Sequence, residues 1–305
     1  MYNFLYCFDS NYNVQAAVSI HSILEKLNEN INVYIIHDKP KTFEKFVTKL
    51  KKHKNLNHIE TFEFMEINYD FPNLGDVHVT YATYFRMFID KYLPRNLEYF
   101  IYVDADIVCL KDPKNELDKI FDTLKVTGQP LAGLTEGTRA TSSLFDTLAL
   151  TGEKYFNAGL IIVDYKEWLK NNTGEKLIDL MSKNYNNIKY WDQDVMNIYF
   201  DGKYAELPQT MNFTSSDGIN LPDDPIYFLH YAGSKKPWYF KFVFNEISQN
   251  YHKAYKSLFN NKYHVTLKFK KHEIKDIISI FVSSKIGIFD KLKFFYSVIK
   301  SNFWY

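Results

Sequence analysis

The amino-acid sequence predicts an α/β fold organised as a doubly wound parallel sheet, and three observations carry that expectation. Runs rich in β-branched and aromatic residues alternate with helical periodicity from the N-terminus onward. The apolar stretch Phe100 to Val103 ends in Asp104-Ala105-Asp106, which crowds carboxylates at the carboxyl end of a buried strand, where open α/β sheets bind ligands. A later strand ends at His230 and runs into Gly233-Ser234-Lys235-Lys236, a turn whose backbone N–H groups and ammonium suit a pyrophosphate. The 305 residues are 46% hydrophobic and 18% aromatic, enough for one large domain or two modest ones with a full core.

Taken in order, Asn3 to Phe8 reads as the first strand and Asp9-Ser10-Asn11-Tyr12 as the polar turn after it. Val14, Ala17, Val18, His21, Leu24 and Leu27 follow at helical spacing, with His21 as a core residue on the apolar stripe. The turn either binds a nucleotide, with Asp9 accepting from base or ribose and Tyr12 stacking on a base, or is an Asx turn capping the helix. Ile31 to His37 is a second strand, Lys41 to Lys52 a Lys-rich amphipathic helix, and His58 to Ile67 a third strand. Thr80 to Phe88 reads as a helix that carries Arg86 among aromatics. A guanidinium there either snorkels to solvent or grips a phosphate or sugar.

In an extended backbone, residues i and i+2 point to one side, so Asp104 and Asp106 bring two like charges together. That arrangement costs energy unless a cation lies between them. A hard divalent ion, Mn²⁺ or Mg²⁺, is the natural occupant. Two solvated turn aspartates are the plain alternative, since Lys111-Asp112-Pro113 follows closely. Asn115 to Leu124 reads as a short helix and Leu131 to Thr135 as a strand. Residues 136–152 read as a loop region with a helix, in the position of a lid or acceptor-binding segment. Tyr155 to Asp164 is a strand, with small Ala158 and Gly159 at its opening, where a ligand can approach the backbone. Asn157 offers donor and acceptor to a sugar hydroxyl. Trp168 lies in the next helix, and Asp192, Gln193 and Asp194 open a further one, complementing its dipole. Asn212 and Phe213 fall in a polar loop. His230, at a strand end, suits metal ligation.

A net charge of +1 argues against general nucleic-acid binding. The balance is uneven, because Lys262 to Tyr305 carries nine Lys against Glu273, Asp276 and Asp290 and leaves the rest net acidic. Cys7 and Cys109 are the only cysteines and read as small buried apolar residues in or beside strands, which permits a reducing compartment. No signal peptide is visible and no run reaches the roughly 18 apolar residues of a spanning helix.

Phe8-Asp9-Ser10-Asn11-Tyr12, Thr83-Tyr84-Phe85-Arg86, Tyr102-Val103-Asp104-Ala105-Asp106, Phe156-Asn157-Ala158-Gly159, Trp191-Asp192-Gln193-Asp194 and His230 to Trp238 occur together in this order. The set resembles glycosyltransferase family 8, retaining enzymes that include bacterial lipopolysaccharide α-galactosyl- and α-glucosyltransferases and, more distantly, glycogenin. The resemblance spans Met1 to Trp238. It implies a GT-A fold over residues 1–260, a Rossmann-like mixed sheet flanked by helices that binds a UDP-sugar and Mn²⁺ (or Mg²⁺). By position it implies Asp104, Asp106 and His230 as metal ligands. Asp9, Asn11 and Tyr12 would line the uridine pocket, Gly233 and Lys236 would contact the pyrophosphate, and Cys7 (through its backbone) and Ala105 would also bind the donor nucleotide. Arg86, Asn157, Ala158, Gly159, Asp192 and Gln193 would surround the donor sugar. Thr135 and Glu136 stand where such bacterial enzymes can carry an acidic residue near donor and acceptor, which leaves UDP-galactose and UDP-glucose both open.

Loss of UDP builds negative charge on the β-phosphate, which a metal ion and Lys236 would stabilise. The resemblance implies retention of configuration. Gln193 is the candidate group on the face opposite UDP and, as an amide, a poor nucleophile. Same-face attack by the acceptor hydroxyl is therefore favoured, with Asp192 holding sugar hydroxyls. Beyond the matched region, residues 261–305 carry the stripes Ile274, Ile277, Ile278, Phe281 and Leu292, Phe295, Tyr296, Ile299, flanked by lysines. That pattern reads as a basic amphipathic tail on the inner face of the cytoplasmic membrane, or as a helix packed on the catalytic domain. The expected activity is hexose transfer to a glycan or glycolipid acceptor in cell-surface glycan synthesis. The alternatives are a nucleotide-sugar-binding pseudo-transferase and self-glucosylation, the latter raised by 24 tyrosines.

Overall fold

The computed structural model describes residues 1–66, 68–72, 80–214 and 225–266, together with Leu292, Phe294 and Tyr296. The chain opens with β1 (Tyr2–Phe8), α1 (Asn13–Lys26), β2 (Ile31–His37), α2 (Glu44–Leu50) and β3 (Leu56–Glu63). β4 (Tyr99–Val103), β5 (Ile107–Cys109), α3 (Lys114–Thr127), β6 (Leu131–Thr138), α4 (Leu144–Thr147) and β7 (Lys154–Asp164) form its middle. α5 (Tyr165–Lys170), α6 (Thr173–Lys183), α7 (Trp191–Phe200), β8 (Ala205–Glu206), β9 (Phe213–Thr214), β10 (Phe228–His230) and α8 (Ser248–Phe259) follow.

Seven strands form a large sheet in the order β3-β2-β1-β4-β7-β6-β8, and β5-β10-β9 form a small one. β1, β2, β3 and β4 run parallel, as the strand–helix alternation predicts. β7 runs antiparallel to both β4 and β6, so the large sheet is mixed rather than wholly parallel. Strand alternation divides the core between two faces. Phe4, Tyr6, Ile101, Val103 and Ile162 pack on one side, while Leu5, Cys7, Phe100, Tyr102 and Ile161 pack on the other. Both cysteines are free and buried. α3 ends at Gly128, whose φ of 65° lets its N–H return to the Leu124 carbonyl.

The sheets meet at the aspartates. β4 belongs to the large sheet and β5 to the small one, so the chain changes sheet across Asp104-Ala105-Asp106. The segment is a tight turn, closed by the Ile107 N–H on the Asp104 carbonyl at 3.1 Å, not the extended backbone the spacing suggests. The helix expected over Thr80 to Phe88 is present as Tyr81–Lys91 and is of the 3-10 type. One other expectation changes. Ala158 and Gly159 lie inside the eleven-residue β7 rather than at its opening.

Past α8, Asn261, Tyr263, His264 and Val265 are buried, and the Thr266 N–H donates to the Trp238 carbonyl at 2.9 Å. Phe294, which belongs to neither sequence stripe, is buried among Phe240, Tyr263 and Val265 and packs on Phe244, while Leu292 and Tyr296 are exposed. Ile274, Ile277, Ile278, Phe281, Phe295 and Ile299 lie outside the described residues. Among those described, no helix is long and apolar enough to cross a membrane.

Candidate active site

A cavity of about 570 Å³ is bounded by the aspartate turn, the middle of β7, the start of α7 and the loop after β10. A smaller one of about 110 Å³, bordered by Cys7, Phe8, Tyr12 and Ala105, shares Arg86, Asp104, Asp106 and Lys236 with it. Most of the residues singled out from the sequence therefore line one cleft. Asp9 and Asn11 stand apart, since neither lines either cavity. Asp9 is buried and accepts from the Asn11 backbone and side-chain nitrogens at 2.9 and 3.2 Å, the capping-turn geometry.

The two aspartates are clamped from opposite sides. The Asp104 N–H donates to the Gly159 carbonyl at 2.8 Å, and the Tyr231 N–H to the Asp106 carbonyl at 3.1 Å. Asp104, Asp106 and His230 bring one ligand atom each within 4.8 Å of one another. Asp104 Oδ1 accepts from Arg86 Nη2 at 3.1 Å and from the Tyr102 hydroxyl at 2.7 Å. Burial raises its carboxyl above the usual range, against the pull of Arg86. Asp106 is the opposite case. Burial pushes its carboxyl up, but Lys236 and His230 outweigh it and hold the group well below the usual range. Lys236 Nζ donates to Asp106 Oδ2 at 2.5 Å and to the Tyr231 carbonyl at 2.8 Å. Asp106 Oδ1 is buried without any hydrogen-bond partner and lies 3.4 Å from His230 Nε2. A buried acceptor with no donor costs free energy unless something positive satisfies it.

Arg86 neither snorkels nor faces solvent. It is buried, stacks on the Tyr102 ring at 3.7 Å, donates Nη1–H to the Ala158 carbonyl at 2.5 Å, and pairs through Nε with Asp192 Oδ2 at 2.7 Å. Asp192 also accepts from the Thr83 hydroxyl. Its burial pushes the carboxyl up to about 6, with Arg86 and Thr83 offsetting part of the effect. The turn into α7 is strained, because Trp191 sits at φ 47°, a left-handed conformation that costs a side-chain-bearing residue roughly 1–2 kcal/mol. Asp194 Oδ2 holds that turn by accepting from the Lys189 and Tyr190 N–H groups at 2.6 and 2.8 Å. Asp192 and Gln193 thereby reach the cavity. Gln193 accepts from the Ala158 N–H at 2.9 Å and donates to Tyr155 and Glu136 at 3.1 and 3.2 Å.

Gly159 is fixed by His230. A Cβ there would lie 2.3 Å from His230 Cε1, so no larger residue fits without moving the imidazole. Thr83, Tyr102, Tyr155 and Asn212 have no individual role in the sequence reading, because strand phenols and a loop amide carry no distinguishing pattern. The Thr83 neighbour Arg86 was the nearest available signal.

Residues 3–241 match the family model described as "Glycosyl transferase family 8". The chain belongs to glycosyltransferase family 8. Among related family members, the lipopolysaccharide 1,2-glucosyltransferase of Escherichia coli K12 is 31% identical over 255 residues, covering 78% of this chain and 72% of that protein. The lipopolysaccharide 1,3-galactosyltransferase of Salmonella typhimurium is 32% identical over 174 residues, 52% of this chain and 50% of that one. The crystal structure of the galactosyltransferase LgtC with donor and acceptor sugar analogs superposes with a TM-score of 0.70, covering 90% of this chain and 99% of that one. At 17% identity that match speaks for the GT-A fold. The chain is a family 8 glycosyltransferase with a mixed sheet flanked by helices.

Proposed function

We propose that this glycosyltransferase moves a hexose, galactose or glucose, from its UDP-sugar to a glycan or glycolipid acceptor of the cell surface, with retention at the anomeric carbon and dependence on Mn²⁺ or Mg²⁺. The observation that carries the metal is Asp106 Oδ1, buried and without a hydrogen-bond partner beside His230 Nε2, with Asp104 in reach. Two carboxylates and an imidazole fit a divalent ion of this kind. When bound, such an ion supplies Lewis-acid stabilisation of the leaving diphosphate.

The chain's own residues do the rest. Lys236, already buried against the site, contributes a fixed ammonium for the charge that develops on the β-phosphate. Arg86 ties Asp104 to Asp192 in one ion-paired array, so Asp192 is positioned to accept from donor-sugar hydroxyls. Gln193 is held by three hydrogen bonds; its oxygen is spent on the Ala158 N–H, which further weakens it as a nucleophile. That supports attack by the acceptor hydroxyl on the same face as the departing UDP. Cys7, Tyr12 and Ala105 border the side assigned to uridine, with Asp9 and Asn11 shaping the Tyr12 turn; Asn157, Ala158 and Gly159 border the sugar, and Gly233 the pyrophosphate.

Placement at the cytoplasmic face of the membrane is supported by the lipopolysaccharide-synthesising relatives and by the lysine-rich residues 261–305. A second reading, self-glycosylation, draws on Tyr190, a half-exposed tyrosine in the cavity wall. A screen of UDP-sugars for Mn²⁺-dependent hydrolysis tests the main reading. No hydrolysis of any of them, with or without metal, sinks it, and a mass increase of the intact protein by a hexose selects the second.

A further inference from the structure

Two side-chain amides, Asn157 in the cavity wall and Asn212 outside it, link β7 to His230. The Gly159 N–H donates to an Asn157 side-chain atom at 2.9 Å. A backbone N–H only donates, so that atom is the Asn157 oxygen. The Asn157 nitrogen then faces Glu136 Oε2, an acceptor, at 3.1 Å. The same Asn157 oxygen lies 3.0 Å from Asn212, which must therefore present its nitrogen. That leaves the Asn212 oxygen facing His230 Nδ1 at 3.0 Å. Two acceptors cannot share a hydrogen bond, so Nδ1 carries the proton and donates. In the neutral imidazole Nε2 is then a bare lone pair.

We propose that Asn212 is a positioning residue that locks His230 in the Nδ1-protonated form and so keeps Nε2 available to a cation; the inference rests on the metal reading given above. Nε2 faces the one Asp106 oxygen that has no donor, at 3.4 Å. With the proton on Nε2 instead, the imidazole would donate to that oxygen and the two ligand atoms would satisfy one another. The amide chain forbids this. It leaves two lone pairs facing each other, an arrangement that only a positive charge between them relieves, either a metal ion or a second proton on Nε2. The lock is stiff. Asn212 is fully buried between buried Met211 and Phe213, and the strand it opens pairs with β10 at Phe213↔Leu229 and Thr214↔His230. The anchor is a main-chain N–H on β7, so no side-chain rotation is free to reverse the series. Groups that orient a metal-binding histidine from behind typically change metal affinity about 10–100-fold when removed.

Long-range ¹H–¹⁵N spectra of the metal-free protein labelled at histidine read the tautomer of His230 directly. The wild type is expected to show a proton on Nδ1, whether or not Nε2 carries one as well; a bare Nδ1 with the proton on Nε2 overturns the inference with no variant needed. Asn212→Leu removes the acceptor at similar volume. It is expected to move His230 towards Nε2–H and to weaken Mn²⁺ binding, measured by calorimetry with UDP present, about 10–100-fold. Asn212→Asp gives up the donor to Asn157 and is expected to be less stable than wild type, but it keeps an acceptor for the imidazole and so is expected to keep the proton on Nδ1 even where Asn212→Leu fails to fold. An unchanged tautomer in Asn212→Leu, or a lost one in Asn212→Asp, overturns the proposal. If the wild type binds no Mn²⁺ at all, the metal reading falls while the spectra still decide what Asn212 does to the imidazole.

Discussion

Replacing Gly159 by Ala tests how tightly the two sheets hold the site. The added Cβ would sit 2.3 Å from His230 Cε1 and 3.0 Å from both His230 Nδ1 and Asn157 Oδ1. The backbone cannot retreat, because Gly159 donates to Asn157 at 2.9 Å and accepts from the Asp104 N–H at 2.8 Å. Ordinary contact begins near 3.4 Å, so the imidazole must move by about 1 Å, several times the roughly 0.2 Å tolerance of a metal–ligand distance. Overpacking of this kind costs about 1–3 kcal/mol of folding stability. The expected outcome is a lower urea midpoint with unchanged slope, and Mn²⁺ affinity in the presence of UDP reduced at least ~10-fold. Denaturant titration and calorimetry on the same preparation measure both. A Gly159→Ala protein as stable as wild type and equal in Mn²⁺ affinity refutes the close approach of β7 to His230.

Asp106→Asn is expected to lose donor hydrolysis at low Mn²⁺ and to regain part of it at high Mn²⁺; Asp104→Asn, which also removes the charge paired with Arg86, regains less, and near-wild-type rates for both at low Mn²⁺ contradict the metal assignment. Phe294→Ala removes a ring packed 5.0–5.6 Å from those of Phe244, Phe240 and Tyr263 and is expected to destabilise by about 3 kcal/mol, whereas an unchanged thermal midpoint would mean the cluster does not hold in solution. His252 and His264 are pushed by burial from the ordinary 6.5 down to about 3. The unfolded chain therefore binds more protons between those values, and their contribution to stability, full above about pH 6.5, is lost as pH falls towards 3. Urea titrations at several pH values should show His252→Gln losing stability less steeply with acid than wild type, and parallel curves would count against the burial of a neutral imidazole there.

How far the sequence foretells this site depends on how local each feature is. The β1 to β3 alternation and the helix at Asp192 follow from residue period and from acidic residues at a helix start, which are visible within ten residues. Asp104, Asp106 and His230 were each legible as strand-end polar groups. Their mutual approach was implied only by the family resemblance, and the turn that achieves it was not legible, because it arises from the change of sheet between β4 and β5. The 3-10 geometry of Tyr81–Lys91 escaped for the same reason that its apolar spacing looked helical: both helix types bury one face, and tertiary packing decides between them. The direction of β7 is set by long-range pairing rather than by its own residues. Asn212 sits before a two-residue strand, too short to announce itself. In the tail, the stripe through Leu292 and Tyr296 is amphipathic on paper, yet the ring that anchors to the body is Phe294, on the other side.

The pairing of β10 with β5 has a kinetic consequence. Leu229 lies opposite Val108, a closure of a loop on the order of 120 residues whose entropy must be lost before any contact repays it. As the chain emerges during synthesis, β1 to β4 can associate early, but the imidazole cannot reach the aspartates until most of the polypeptide exists. If the site binds Mn²⁺ as proposed, a refolding chain would therefore acquire that affinity among its last events, and uptake of the ion would serve as a clock for completion of the native topology.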